Sequence, residues 1–88
     1  MVSREVVINN EIGLYARPAT FFIQKANEFS STILVEIDDR RVNAKSLLGV
    51  LSLGVESGSA ITIIAEGPDE YEAVTALVDF VNNGFKEE

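Results

Sequence analysis

The chain has 88 residues, 47% of them apolar and 24% charged, the balance of one modest globular domain and not of a disordered segment. It contains no cysteine and no histidine, which excludes disulfides and thiolate metal sites and removes the commonest general base; a carboxylate-only metal site is not expected. A net charge of −7 disfavours direct nucleic-acid binding, whose affinity comes largely from neutralising phosphates with Lys and Arg.

No apolar run approaches the roughly 20 residues that span a membrane, so no membrane insertion is expected. The opening Met1-Val2-Ser3-Arg4-Glu5 lacks the layout of a signal peptide. A cytoplasmic protein is expected, with residues 1–88 forming one domain.

Val2 to Ile8 is rich in valine and isoleucine and reads as a strand, followed by a loop over Asn9-Asn10-Glu11-Ile12-Gly13. A helix is expected to follow Pro18, a residue favoured in a first helical turn. Ala19, Phe22, Ile23 and Ala26 fall at i, i+3, i+4 and i+7 and form its buried stripe. Phe21 falls out of that phase and lies on the far side with Arg17 and Gln24, as a surface aromatic or beneath a loop.

Ser30-Ser31 closes the helix region. Ile33, Val35 and Ile37 alternate with Leu34, Glu36 and Asp38, so a strand follows. Asp38-Asp39 turns it into a short second strand, Arg40 to Asn43, and the two make a hairpin. Lys45 to Leu53 reads as a short helix with Ser46 as N-cap. Leu47, Leu48, Val50, Leu51 and Leu53 surround that helix, so some must be exposed, as a partner surface or under loops.

Ala60 to Ala65 is an unbroken apolar run, expected to be a central strand buried on both faces or nearly so. Gly67-Pro68 breaks the chain, and Asp69 with Glu72 is spaced as a capping box. Val74, Leu77, Val78 and Val81 stripe the last helix, and Gly84 marks its end. Strand, helix, two strands, short helix, strand, helix is the order of a two-layer α+β sandwich.

Gly13-Leu14-Tyr15-Ala16-Arg17-Pro18-Ala19-Thr20 resembles the signature of the HPr family, the small phosphocarriers of the sugar phosphotransferase system, which reads Gly-Leu-His-Ala-Arg-Pro-Ala. Val42 to Gly54, with Ser46 inside it, resembles the family's regulatory-serine region. Ala65-Glu66-Gly67 with Asp69-Glu70 fits the family's ending. The likeness runs in register along nearly the whole chain. It implies an open-faced two-layer sandwich, a four-stranded antiparallel sheet in the order 1-4-2-3 with three helices on one face.

The departure is Tyr15, which stands where the family carries its phospho-accepting histidine. Phenols are almost wholly protonated at neutral pH, and a phosphotyrosine ester is a poor phosphoryl donor. Loss of phosphate carriage, and no catalytic residue, are therefore expected. Tyr15 admits three roles: a filler of the imidazole's space, a recognition residue, or a phosphorylation target. Tyr15, Ala16 and Arg17 would remain as a degenerate anion site at a helix N-terminus.

By the same resemblance, Ser46 is a regulatory phosphorylation site for HPr kinase/phosphorylase, and the modified protein is a corepressor docking on a LacI-type catabolite control repressor. The alternative for Ser46 is a plain helix cap. The implied partner surface gathers Tyr15, Arg17, Thr20, Phe21, Gln24, Leu47, Leu48 and Leu51. Loss of the histidine with retention of the serine is similar to the catabolite-repression HPr (Crh) group, although that group usually carries glutamine at the histidine position. Its members exchange the first strand, so a monomer or a strand-exchanged dimer is expected. No cofactor is implied. The rival readings are a phosphocarrier with altered chemistry and an unmodified binding module regulating a metabolic enzyme.

Overall fold

The computed structural model describes residues 1–86. The chain runs β1 (Val2–Val7), α1 (Ala16–Ala26), β2 (Thr32–Ile37), β3 (Arg40–Asn43), α2 (Leu47–Ser52), β4 (Ala60–Glu66) and α3 (Glu70–Asn82). The strands form one antiparallel sheet in the order β1-β4-β2-β3, with β4 between β1 and β2. The three helices belong to the second layer, and no helix among the described residues is long and apolar enough to cross a membrane.

Ile61, Ile63 and Ala65 of β4, Ile33 and Val35 of β2, and Val6 of β1 point into the core. They meet Ala19, Phe22 and Ala26 from α1 and Val74, Leu77, Val78 and Val81 from α3. The apolar run of β4 is not buried on both faces, because the sheet is open on one side. Ile64 is covered only by its neighbours there, Thr62 is half-buried, and Ala60 is exposed. A strand that reads as fully buried is thus a strand flanked on both edges, with one face packed.

Three expectations are corrected. Helix α1 begins at Ala16, two residues before Pro18, and Tyr15 is its N-cap. Helix α2 is shorter than Lys45 to Leu53, because Ser46 is its cap and Leu53 closes it. Asp69 and Glu72 do not make a capping box.

Asp69, the N-cap of α3, makes no side-chain bond to its own helix. It accepts from the amides of Ser30 and Ser31, each at 2.9 Å, and from the Ser31 hydroxyl. Glu70 closes the turn ahead of α3 instead, its carboxylate accepting from Gly67 N–H at 3.0 Å. Gly67, at φ 150°, has no room for a side chain, since a Cβ would stand 2.8 Å from Ser31 Cα. Asp69 therefore ties the loop after α1 to the start of α3.

These bonds hold the Asp69 carboxyl below its ordinary value of 3.8, the Ser31 hydroxyl contributing most. A carboxyl so lowered stabilises the fold while ionised; the contribution is complete above that ordinary value and is lost as the pH falls through the folded one. The urea midpoint is therefore expected to fall as the pH is taken below about 4. Asp69→Asn should flatten that fall; an unchanged pH profile in the variant would remove Asp69 from the account.

Helix α3 ends in a Schellman motif: Gly84 N–H donates to the Val81 carbonyl at 3.0 Å and Phe85 N–H to the Phe80 carbonyl at 2.9 Å. Phe85 is itself left-handed, at φ 66°. It turns back into the core, where its ring meets Phe80 edge-on at 5.8 Å and Phe22 at 6.4 Å.

Candidate functional site

Two segments of the sequence carry the candidate residues, and the sheet sets where they lie. Leu14 is fully buried and its amide donates to the Val55 carbonyl at 3.0 Å. Gly13 precedes it at φ 77°, where a Cβ would stand 2.4 Å from that carbonyl oxygen. Only glycine lets the two loops approach so closely. With Leu14 pinned inward, the chain must turn sharply to start α1 on the surface.

The turn falls on Ala16, which adopts φ 50° although it has a side chain. Such a left-handed residue costs about 1–2 kcal/mol. The neighbouring bonds hold it: Thr20 Oγ1 donates to the Ala16 carbonyl at 3.2 Å, and Ala19 N–H to the Tyr15 carbonyl at 3.4 Å. The result presents Tyr15 at the helix mouth, 38% exposed.

Tyr15 does not cap α1 with its side chain. Its hydroxyl extends toward the end of α2, where a Cβ added to Gly54 would stand 3.5 Å from it. The first turn of α1 contains no acidic residue, and its leading amides have no intrahelical acceptor. Arg17 adds a guanidinium 5.5 Å from the centroid of the Phe21 ring, and no carboxylate among the described residues pairs with it. Free amides, the positive end of a dipole and an unpaired guanidinium together favour an anion.

Ser46 lies at the other end of α2. Its hydroxyl accepts from Gly49 N–H at 3.1 Å, and Val50 N–H donates to its carbonyl at 3.0 Å. Asn43 prepares the entry: its side-chain oxygen accepts from Lys45 N–H at 2.9 Å, and its carbonyl from Ser46 N–H at 3.1 Å. Lys45 Nζ donates to the Phe29 carbonyl at 2.7 Å, tying the entry to the loop beyond α1. There is no acidic side chain in the first turn of α2, so a phosphate on Ser46 would meet amides and no carboxylate from that turn.

Of the residues gathered from the sequence, Tyr15, Arg17, Thr20, Phe21, Gln24, Leu47 and Leu48 are exposed. Leu48 is the most open of the apolar ones, at 81%. Leu51 differs: it is half-buried and packs against the core, so it offers little to a partner. Val50 and Leu53 are buried, and these two anchor α2 from below. Tyr15 and Ser46 are not neighbours along this surface, since the length of α2 separates Ser46 from Gly54, on the order of 10 Å. Sequence reasoning missed Gly54 as the seat of the Tyr15 phenol and Asn43 as the turn into α2. The Asn-x-x-Ser spacing is the signal that would have found the second.

The model of the phosphotransferase-system HPr component phosphorylation site matches residues 2–83. The HPr-like protein Crh of Halalkalibacterium halodurans is 51% identical over 81 residues, covering 92% of this chain and 96% of the relative. Among solved structures, HPr-C-His from Thermoanaerobacter tengcongensis superposes with a TM-score of 0.96 at 50% identity, covering 100% of this chain and 99% of that one. The crystal structure of Bacillus subtilis Crh, a swapped dimer, matches with a TM-score of 0.77 at 42% identity, covering 99% of this chain and 100% of that one.

Proposed function

This chain belongs to the HPr family, in its Crh-like branch, and on that premise we propose that it is a cytoplasmic regulatory protein, phosphorylated on Ser46 and without phosphate carriage or catalysis of its own. HPr kinase/phosphorylase supplies the phosphate from ATP. The product binds a LacI-type catabolite control repressor as corepressor. The docking surface is formed by Tyr15, Arg17, Thr20, Phe21, Gln24, Leu47 and Leu48, with Leu51 beneath it.

The observation that carries this reading is the setting of Ser46. It caps a helix whose next two residues, Leu47 and Leu48, are exposed large apolar side chains. A phosphate there adds charge beside an apolar surface without displacing core, because the helix N-terminus accommodates it. The modification then works by changing the surface a partner reads. At the other site, the side chain available for phosphoryl transfer is a phenol.

Exchange of β1 between two copies is the proposed route to a dimer. β1 is an edge strand paired only with β4, and swapping recreates the same pairing between chains. The Crh structure described above supports this by likeness.

Incubation of the whole protein with HPr kinase/phosphorylase and ATP tests the reading. The expected result is a mass increase of one phosphate that maps to Ser46. An unmodified chain, with an ordinary HPr labelled in parallel, would leave Ser46 as a helix cap and transfer the weight to an unmodified binding module.

A further inference from the structure

α2 is six residues long, too short to hold its form alone in water. Its outward residues do not anchor it, since Leu47 and Leu48 are exposed. Beneath it lie Val50, the closing Leu53 and half of Leu51. Its last turn has no basic residue, although the carbonyl end of a helix is negative and gains from a nearby cation.

That cation comes from another element. Arg40, the first residue of β3, donates from Nη2 to the Ser52 carbonyl and from Nη1 to the Leu53 carbonyl, the latter at 3.4 Å. The hairpin sets its reach: Arg40 pairs with Ile37 across the turn at Asp38 and Asp39, where Asp38 adopts φ 55°. The adjacent Arg41 is engaged elsewhere, with Glu36 at 3.0 Å. Two consecutive arginines thus have separate tasks, and only Arg40 reaches the helix.

We propose that Arg40 is a positioning residue for Ser46: it grips the carbonyl end of α2 and so holds the Ser46 cap at the opposite end. Arg40 is absent from the proposed docking surface and acts through the helix. The hold on α2 stands on the contacts just described. Its consequence for phosphate acceptance rests on the regulatory reading of Ser46.

Amide hydrogen exchange on the whole chain, for the natural sequence, Arg40→Ala and Arg40→Lys, tests the hold. In Arg40→Ala, the Gly49 and Val50 amides should exchange about two- to fivefold faster, with the β4 amides unchanged. Arg40→Lys should recover part of that loss. Phosphorylation kinetics with HPr kinase/phosphorylase test the consequence: Arg40→Ala should raise KM with kcat unchanged. Unaltered α2 exchange, or equal acceleration throughout the sheet, would overturn the proposal. Faster α2 exchange with an unchanged KM would overturn its link to Ser46. Faster α2 exchange in a protein that takes no phosphate at all would support the grip and overturn the regulatory reading.

Discussion

Ser46→Ala is expected to abolish kinase-dependent binding of the repressor while leaving a folded protein. The hydroxyl does two separable things. It accepts the Gly49 amide, and it is the atom that would carry phosphate. Losing the cap costs about 1 kcal/mol, a small part of the 5–15 kcal/mol typical of a domain. Losing the phosphoacceptor removes the signal completely. Ser46→Asp separates the two, because aspartate is also a good N-cap but carries one charge close to the backbone instead of a phosphate further out. The cap should return in Ser46→Asp, with binding restored weakly at most. The measurement is repressor capture by each variant after kinase and ATP, beside a thermal melt of each. Capture of Ser46→Ala at the natural level would remove the regulatory serine from the function and leave the apolar surface of Tyr15 and Leu47 as the binding determinant.

Much of the fold is legible in the sequence because its helices carry their stripes plainly. Ala19, Phe22 and Ala26, and Val74, Leu77, Val78 and Val81, are core residues as their spacing requires. The strand order was supplied by the resemblance. What periodicity cannot supply are contacts between distant segments. Asp69 is spaced for one duty and performs another, because the loop at Ser30 and Ser31 arrives from the end of another helix to meet it. Phe85 follows the end of the last helix, where no period applies, yet it is 3% exposed. An aromatic directly after a helix-ending glycine is the signal for it.

The site is legible as chemistry and hidden as geometry. A tyrosine in place of a histidine, an arginine beside it and a capping serine are all visible as residue types. The left-handed turn at Ala16 is not, since alanine gives no hint of positive φ. It arises from two constraints that meet at one residue: Leu14 is fixed inward and α1 must begin outside. Arg40 was equally invisible as a helix clamp, because its target carbonyls lie 12 and 13 residues further along.

Tyr15→His is expected to take a phosphoryl group from enzyme I, and the natural Tyr15 protein is expected to take none. The backbone needed for the transfer does not depend on the substituted side chain. Gly13 and Leu14 are locked by the loop at Val55, and the first turn of α1 lacks acidic residues. Arg17 is free of carboxylate partners among the described residues. What changes is the nucleophile: an imidazole nitrogen takes the place of a phenol hydroxyl. A phosphoramidate, unlike a phenyl ester, can pass its phosphoryl group onward. Tyr15 makes no side-chain cap bond and is partly exposed, so the exchange should leave a folded protein, which a thermal melt checks. Labelling with phosphoenolpyruvate and enzyme I, read as intact mass beside an ordinary HPr, measures the outcome. A folded Tyr15→His that stays unlabelled would mean that the cradle around Ala16 and Arg17 no longer suits enzyme I, and that this chain has diverged by more than one side chain. Labelling of the natural Tyr15 protein would instead establish an altered phosphocarrier and overturn the regulatory reading.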